Sequence, residues 1–425
     1  MSASTLVGLA CIRCGGEPGD EHPALGCPNC RAAGVPSALS TVYDLNVARA
    51  TWSMEELSRR PFGPSRYGEL LPPGTGSLAL SEGATPLLRA ERLARQLGVH
   101  SILVKDESRN PTWSFKDRAA SVASLRARQE GCRGLVVSST GNAAAATSAY
   151  AAAMDLPVMV LFAQGVDEVL SRFVRSFGGN IVVTRTKSER WVFMRRCVEE
   201  FGFYPNSNFA DPPVGNDPFA LDGYKTIAFE VWDQLGGRAP TGIVTPVGYG
   251  DSLFAMYKAF DELKTLGSSE IPRLVAGEMY GSISRTIEEG SQSLVKAEID
   301  GPTVASSIGT AQSTYQALHA IISSRGAVYH LEDEEVLDAQ RLLTETEGLF
   351  VEAASAAGIA ALVRDLRNGT LDPDGDYVFI NTSAGIKSVG AVGDIGIEPK
   401  VTDDVENFAL LVSATLAGVT GGGMR

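Results

Sequence analysis

Four cysteines near the N-terminus have the spacing of a metal site. Cys11 and Cys14 form one Cys-x-x-Cys pair, and twelve residues separate it from the second pair, Cys27 and Cys30. Two such pairs can bring four thiolates to one tetrahedral Zn²⁺. Four thiolates leave no open coordination position, so the ion would be structural rather than catalytic. Disulfides and a redox-active dithiol are the alternative interpretations.

A lysine that could react with an aldehyde lies farther along the chain. Lys116 belongs to the segment Asn110–Arg118, between a predicted strand and a predicted helix. A lysine at such a turn can point into a cleft, where partial desolvation lowers its pKa and leaves a nucleophilic neutral amine. A single lysine near a helix start is more often a solvated surface group, so this interpretation depends on the rest of the chain.

Two further loops could bind anionic groups. Ser138–Asn142 ends a predicted strand and opens an alanine-rich helix, whose first backbone amides attract an anion such as a carboxylate. The alternative is that Thr140 or Asn142 only caps this helix. Two glycines in Gly248–Ser252 would let backbone amides close around a phosphate, although such a turn alone is a weak signal. With Thr382, these loops end predicted strands, where open α/β sheets bind ligands.

The elements that must position these residues alternate between strand and helix. Short, continuous runs of Val, Ile and Leu predict strands that are buried on both faces of parallel sheets, which indicates an α/β fold. The predicted strands are Ser101–Val104, Gly134–Ser138, Pro157–Phe162, Asn180–Thr184, Gly242–Pro246, Arg273–Gly277, Gly326–His330 and Tyr377–Asn381. The predicted helices are Arg118–Gln129, Ala143–Ala153, Asp333–Glu347 and Ala354–Leu366.

Size and charge limit the classes of function. A chain of 425 residues predicts two large units, or one large unit with additions. A net charge of −13 argues against nucleic acid and anionic membranes as partners. No stretch approaches the roughly 20 apolar residues of a membrane span, and the first ten residues lack the basic region of a signal peptide. We therefore expect a cytoplasmic protein.

Several motifs together resemble a known family of enzymes. Gly83–Leu87 reads Gly-Ala-Thr-Pro-Leu, and Asn110–Arg118 surrounds the lysine described above. Leu221–Thr226 and Glu347–Ala357 complete the set. These segments resemble the fold-type II enzymes that use pyridoxal 5′-phosphate, and most closely the threonine synthase branch, some members of which begin with a zinc ribbon. The resemblance extends from about Glu82 to Lys387.

The resemblance implies a tryptophan synthase β-like architecture, with two three-layer α/β/α domains and a small N-terminal Cys₄ zinc ribbon. The ribbon would occupy residues 1–45. Residues 46–117 and 221–425 would form a large domain that binds pyridoxal phosphate. Residues 118–220 would form a small mobile domain that closes over the substrate and excludes water. Because members of this family are commonly dimers, the resemblance also implies a homodimer.

The resemblance also assigns roles to individual residues. Lys116 would carry the cofactor as a Schiff base and later shuttle protons, while Asn142 would face the cofactor's phenolate oxygen. Thr382 would face the pyridine nitrogen and leave it largely unprotonated, which suits elimination and replacement reactions. The remaining implied cofactor ligands are Gly248, Tyr249, Gly250, Asp251 and Ser252. The implied substrate-binding residues are Ser139, Thr140, Gly141, Asn206 and Ser207.

The implied activity is that of a lyase of amino-acid biosynthesis, which converts O-phosphohomoserine and water to threonine and phosphate. Trp113 replaces the usual glycine of the lysine motif, and Ala384 replaces a histidine that often follows Thr382. Tyr249 and Asp251 replace small or amide residues of the phosphate loop.

An arginine is also expected shortly before Leu221, where this chain has Ala220. Arginine is the natural bidentate partner of a phosphate, so its absence suggests a different leaving group or a different phosphate ligand. The candidate replacements, each of which reads as a surface charge in the sequence, are Lys225, Arg172, Arg175 and Arg185.

Two alternatives follow from these departures. The first is a related pyridoxal-phosphate enzyme with a different leaving group, either a β-replacement synthase or an ammonia-lyase. The second is a zinc-ribbon binding protein with an inactive enzyme body, a reading against which the acidic charge and the presence of Lys116, Asn142 and Thr382 all argue.

Overall fold

The computed structural model describes residues 4–77, 80–139, 141–164, 168–392 and 412. Residues 393–411 and 413–425 of the predicted large domain, and residues 1–3 of the predicted ribbon, lie outside this range. The described strands are β1 (Leu6–Cys11), β2 (Leu39–Tyr43), β3 (Leu87–Arg89), β4 (Ser101–Asp106), β5 (Gly134–Val137), β6 (Val158–Ala163), β7 (Asn180–Thr184), β8 (Phe203–Pro205), β9 (Gly242–Pro246), β10 (Arg273–Glu278), β11 (Ala327–His330) and β12 (Asp376–Asn381).

The helices connect these strands and cover the sheets. In the described residues they are α1 (Pro28–Ala32), α2 (Leu45–Arg49), α3 (Met54–Ser58), α4 (Glu91–Leu97), α5 (Lys116–Gln129), α6 (Asn142–Ala153), α7 (Glu168–Ser176), α8 (Lys187–Glu199), α9 (Pro218–Asp222), α10 (Lys225–Gln234), α11 (Asp251–Thr265), α12 (Ser282–Glu288), α13 (Tyr315–Ser323), α14 (Asp333–Glu347) and α15 (Ala353–Arg367). None of them is long and apolar enough to cross a membrane.

The larger sheet has the strand order β11-β10-β9-β12-β4-β3. All neighbours are parallel except β3, which runs antiparallel to β4 at the edge. Helices cover both faces of this sheet, because successive side chains of β12 point to opposite faces and both sets are packed. Val378 and Ile380 pack into the core cluster that contains α10, α11 and α13, whereas Phe379 between them meets Gly358 of α15 on the opposite face.

The smaller sheet has the order β7-β6-β5-β8, and all of its strands are parallel. Leu135 and Val137 of β5 pack into a cluster with α5 and α6, while Val136 packs with Met194 of α8 on the other face. Ala24 and Leu25 from the N-terminal segment join that second cluster. Helices therefore cover both faces of each sheet, and the predicted α/β/α layering is confirmed.

The N-terminal segment forms the two-stranded antiparallel sheet β1-β2, with Cys11 at the end of β1 and Cys14, Cys27 and Cys30 in the segment that connects the two strands. We define the ribbon as residues 4–45 and the knuckle as Cys11–Cys14. In this hairpin β1 and β2 pair from Leu6 and Tyr43 to Cys11 and Leu39. The ribbon is therefore built on its own short sheet and does not extend either of the larger sheets.

Candidate active site

A buried network of charges fixes the helix that begins at Lys116. Arg118, in the first turn of α5, is 1 % exposed. It donates to Glu107 at 2.6 and 2.7 Å and to Glu230 at 2.7 and 2.9 Å. Lys105 donates to Glu230 at 2.7 Å. Burial would raise the pKa of Glu230, but Arg118 and Lys105 outweigh it and hold this pKa at about 2. Buried ion pairs stabilise a protein only when their geometry is close. The pairs of Arg118 therefore position the start of α5.

The Lys116 amine lies against aromatic rings. Its Nζ is 4.4 Å from the ring centre of Phe115 and 5.3 Å from that of Tyr224. Burial lowers the pKa of Lys116, although the carboxylates of Asp251 and Glu352 act in the opposite direction. A lowered pKa increases the fraction of neutral amine, which is the form that attacks an aldehyde.

The end of β12 is attached directly to the lysine loop. Phe115 N donates to Thr382 O at 2.9 Å, and Ser114 pairs with Ser383 in an isolated antiparallel bridge. Thr382 is 6 % exposed. Within the described residues, the buried Oγ of Ser114 has no hydrogen-bond partner. The structure therefore brings Thr382 beside the Lys116 loop, and that loop contains a buried polar atom that a ligand could satisfy.

Asn142 is the first residue of α6, and its side chain does not cap that helix. The cap residue is Gly141, which makes no side-chain capping bond. Asn142 Nδ2 instead donates to Glu352 at 2.6 Å, and its Oδ1 accepts from Lys387 at 2.7 Å. The capping interpretation of Asn142 is therefore wrong, since both polar atoms bond across the cleft. Thr140 lies outside the described residues.

The N-terminus of α6 leaves backbone donors available at the predicted carboxylate loop. Gly141 N is bonded to Ser139 Oγ at 3.2 Å, and the first intrahelical bonds come from Ala144 and Ala145. The amides of Asn142 and Ala143 have no intrahelical acceptor, as at any helix start. An anion at this point would be favoured both by these donors and by the helix dipole.

Sequence reasoning did not identify Glu352 and Lys387 as members of this site. Glu352 also accepts from Ser307 Oγ at 2.8 Å. Burial lowers the pKa of Lys387 to about 8, against the effects of Glu352 and Asp117, so this lysine is still a cation at neutral pH. A usable signal was present, because Glu352 is the only charged residue in the segment 349–357.

The loop before α11, Gly248–Ser252, has the form of a phosphate cradle, and we use that name for it. Gly250 has φ +86° and is the cap residue of α11, without any side-chain capping bond. A Cβ atom on Gly250 would lie 2.2 Å from the Cβ of Ala317, so only glycine fits. The first amides of α11 are thus uncapped by side chains and can bind an anion.

The side-chain oxygen of Asp251 that forms hydrogen bonds accepts them from residues outside the cradle. Its Oδ1 accepts from Asn216 N at 3.2 Å and from Gln316 Nε2 at 2.6 Å. Burial raises the pKa of Asp251, although the nearby Lys116 amine lowers it. A larger neutral fraction of this carboxyl reduces the repulsion that a phosphate would otherwise meet there.

Asn206 and Ser207, which follow β8, bond to residues of α6 and of neighbouring loops. Asn206 Nδ2 donates to Thr147 at 2.8 Å, and its Oδ1 accepts from Asn216 at 3.0 Å. Ser207 Oγ accepts from Ser138 N at 2.9 Å. Asn216 bonds Asn206 through its side chain and Asp251 through its backbone N, so Asn206 reaches the site through one intermediate residue.

Trp113, the bulky replacement in the lysine motif, bridges to α7. Its φ is +63°, a left-handed conformation that favours glycine. Its ring stacks on Phe173 with centroids 5.3 Å apart and an interplanar angle of 7°. Its carbonyl accepts from Ala384 N at 3.1 Å. Aromatic stacking, worth about 0.5–1.5 kcal/mol, offsets the backbone strain of about 1–2 kcal/mol.

The four candidate replacements for the missing arginine differ in location. Arg172 pairs with Glu168 on the surface of α7, and Arg175 and Arg185 are exposed. The expectation that Lys225 is a surface charge is wrong. Lys225 is 0 % exposed and donates to Leu70 O at 2.6 Å and Glu262 Oε1 at 2.8 Å. This lysine is therefore already committed to internal partners.

The four cysteines of the ribbon converge as their spacing predicts. Their sulfur atoms all lie within 4.8 Å of one another, with Cys11 and Cys30 at 3.6 Å and Cys14 and Cys27 at 3.7 Å. Zn–S bonds of about 2.3 Å in a tetrahedron place sulfurs about 3.8 Å apart, whereas a disulfide needs about 2.0 Å. The geometry therefore fits one tetrahedral ion better than two disulfides.

Comparison with known proteins places this site in context. Residues 78–383 match the family model described as pyridoxal-phosphate dependent enzyme. A threonine synthase from Methanosarcina acetivorans is 33% identical over 404 residues, which cover 93% of this chain and 96% of that protein. A threonine synthase from Methanocaldococcus jannaschii is 33% identical over 400 residues, covering 92% and 95%.

Solved structures agree at the level of the fold. The processed form of threonine deaminase isoform 2 from Solanum lycopersicum superposes with a TM-score of 0.61 at 20% identity, covering 74% of this chain and 88% of that one. A fungal L-serine ammonia-lyase from Rhizomucor miehei gives a TM-score of 0.62 at 22% identity, covering 73% and 96%. At these identities the likeness indicates a common fold.

Proposed function

Because the chain belongs to the pyridoxal-phosphate-dependent enzymes, and within them to the threonine synthase family, we propose that it converts O-phosphohomoserine and water to threonine and phosphate. The chain is a pyridoxal-phosphate-dependent lyase by family membership. The observation that carries the specific proposal is that Lys116 lies beside Thr382, near Asp251 of the phosphate cradle and near Glu352, which bonds Asn142 at the start of α6.

The residues present fit the cofactor. Lys116 would hold it covalently, and the amides at the start of α11 would bind its phosphate in a cradle that a side chain at Gly250 would fill. The buried Oγ of Ser114, in the same loop as Lys116, has no hydrogen-bond partner among the described residues, and a polar ligand would satisfy it. When bound, pyridoxal phosphate supplies the electron-withdrawing ring that makes the α-proton of an amino acid acidic.

The chain's own groups would orient the substrate and move its protons. The amides at the start of α6 would bind the substrate carboxylate, with Ser139 bracing Gly141. Lys116, with its lowered pKa, would take and return a proton at the substrate's α-carbon. Residues 118–220 would form the mobile small domain, and its closure, with Trp113 stacked on Phe173, would exclude water.

The leaving phosphate needs a positive partner in place of the missing arginine. Lys387 is charged at neutral pH and lies at the cleft beside Asn142. We assign it this role, because Lys225 is buried among other partners and Arg172 is paired on the surface. An ammonium can bind phosphate as a point charge, although without the bidentate geometry of arginine.

Incubation of the cofactor-loaded protein with O-phosphohomoserine is expected to release phosphate and threonine in equal amounts. Phosphate would be measured colorimetrically and threonine by chromatography. Homoserine serves as the matched control and should give neither product above background, since hydroxide is a far poorer leaving group than phosphate. Release of ammonia and a keto acid from serine or threonine, without phosphate-dependent turnover, would instead support the ammonia-lyase alternative.

We also propose that Cys11, Cys14, Cys27 and Cys30 hold a structural Zn²⁺. The sulfur separations described above support it, as does the burial of three of the four thiols. The knuckle amides of Arg13 and Cys14 point at Cys11 Sγ at 3.4 and 3.5 Å, which favours the thiolate form that a metal requires.

Elemental analysis of the purified protein is expected to find about one zinc per chain. The double replacement of Cys27 and Cys30 by serine should remove it, because two of the four ligands are lost. Cys132→Ser is the matched control, since Cys132 lies outside the cluster and should leave the zinc content unchanged. Full zinc in the double variant, or none in the parent protein, would contradict the assignment.

A further inference from the structure

Three residues of one short segment donate hydrogen bonds to the phosphate cradle. Ser313 Oγ donates to Gly248 O at 2.7 Å, and Thr314 Oγ1 donates to Tyr249 O at 2.6 Å. Two residues later, Gln316 Nε2 donates to Asp251 at 2.6 Å. Because these bonds fix the cradle carbonyls, they also fix the direction of the amides on the opposite side. We call residues 313–316 the backing segment.

Tyr315, which lies between Thr314 and Gln316 in the backing segment, contacts the ribbon. The guanidinium of Arg13 lies over the ring of Tyr315, with its carbon 3.7 Å from the ring centre. Arg13 Nη2 also donates to Gln292 O at 2.8 Å. A cavity of about 170 Å³ lies beside this contact, lined by Val35, Pro213 and other residues. The knuckle therefore contacts the backing segment through Arg13, and a cavity lies beside this contact.

The conformation of Arg13 depends on the knuckle itself. Arg13 is the third residue of Cys-Ile-Arg-Cys, and its own amide points at Cys11 Sγ at 3.4 Å. A metal ion that draws Cys11, Cys14, Cys27 and Cys30 together would fix this loop, because it ties both ends of the knuckle to the same atom. Loss of the metal would release the loop that carries Arg13.

The rest of the ribbon is fixed independently of the knuckle. Thr41 and Tyr43 of β2 donate to the buried carboxylate of Asp222, and the bond from Tyr43 measures 2.6 Å. Lys258 of α11 donates to the same carboxylate at 2.9 Å. This buried polar cluster holds the hairpin against α11 whether or not the cysteines carry a metal. Metal loss would therefore act locally, on the knuckle and on Arg13.

We propose that Arg13 is a positioning residue through which the metal-bound knuckle holds the cofactor's phosphate cradle in its binding geometry. The path runs from Arg13 to the Tyr315 ring and then through the hydroxyls of Ser313 and Thr314 to the cradle carbonyls. The metal-dependent part rests on the proposed zinc site, whereas the contribution of Arg13 itself does not. The ribbon would thus affect the affinity of the active site for pyridoxal phosphate, although no ribbon residue would bind the cofactor directly.

The first test replaces Arg13 by alanine and titrates the cofactor-free protein with pyridoxal phosphate. Its dissociation constant should rise about 5- to 30-fold, from the loss of a cation–π contact and one hydrogen bond. Arg13→Lys should recover part of the affinity, because it keeps the charge. Arg31→Ala is the matched control, since Arg31 bonds within the ribbon to Glu21 and Leu25 and should leave the constant unchanged.

Two further readouts separate positioning from general damage. At saturating cofactor, kcat and KM of Arg13→Ala should stay within about twofold of the parent, because the cradle binds no substrate. The urea midpoint of the cofactor-free variant should match that of Arg31→Ala. An unchanged dissociation constant would overturn the proposal, and so would a loss of stability that accounts for the weaker binding.

The second test removes the metal with a chelator and restores it with Zn²⁺. In the parent protein, removal should weaken cofactor binding as much as Arg13→Ala does, and in Arg13→Ala it should have no further effect, since both changes break one path. Metal content is measured on every sample. A parent protein without zinc would refute only the metal site, whereas bound zinc whose removal leaves affinity unchanged would refute the coupling.

Discussion

Replacement of Lys116 by alanine is expected to lower turnover by at least about 10³-fold, because the covalent holder of the cofactor and the proton shuttle are the same group. The variant should fold normally, since the Lys116 amine packs against the rings of Phe115 and Tyr224 and, among the described residues, takes no part in the ion pairs of Arg118. Phosphate release and the visible absorption band of the lysine-bound cofactor measure the two effects separately.

Three controls make the Lys116 result specific. Lys264→Ala removes an exposed lysine that pairs with Glu270 and should change neither signal. Lys116→Arg keeps the charge but cannot bond covalently to an aldehyde, so it should fail like alanine. A visible band that survives in Lys116→Ala but disappears in Lys387→Met would mean that Lys387, the other amine at the cleft, holds the cofactor.

Replacement of Glu230 by glutamine is expected to destabilise the protein by about 3–5 kcal/mol. Glu230 is fully buried and compensates two cations, Arg118 and Lys105. The neutral amide would leave only Glu107 to balance them, and an uncompensated buried charge is far more costly than the loss of an exposed ion pair. The free energy of unfolding, from the urea dependence of tryptophan fluorescence, measures this change.

The matched control for Glu230→Gln is Glu200→Gln. Glu200 forms a bidentate pair with Arg196 on the exposed side of α8, where loss of the pair should change stability by under about 1 kcal/mol. Since the network anchors the first turn of α5, Glu230→Gln should also weaken cofactor binding at Lys116. A loss below about 1 kcal/mol would mean that the network is compensated in some other way.

The strands and helices could be predicted where burial of the element requires a continuous pattern of apolar residues in the sequence. All eight predicted strands and all four predicted helices are confirmed, with bounds that differ by at most two residues. Strands β3 and β8 were missed because three residues are too few to show a period. The hairpin β1-β2 was missed because its partners lie more than 25 residues apart and alternate only partly.

The site could be predicted in part, for a similar reason. Lys116, Asn142, Thr382 and the cradle follow predicted strands, so the topology alone brings them to one edge. The network of Arg118 could not be inferred, since an arginine in a helix reads as a surface residue until its partners on other elements are known. The same holds for Lys225, which was expected to be exposed. The homodimer and the cytoplasmic location stay predictions.

The strand order of the larger sheet dictates when that sheet can be completed during synthesis. β12, the last of the described strands, lies in its interior between β9 and β4. The smaller sheet is complete once residue 205 has left the ribosome. In contrast, β4 cannot pair with β12 until residue 381 has done so. At roughly 5–20 residues per second this delay is about 9–35 seconds. A nascent chain therefore carries an unpaired β4 edge throughout that interval, and chaperone binding to this edge would protect it from aggregation.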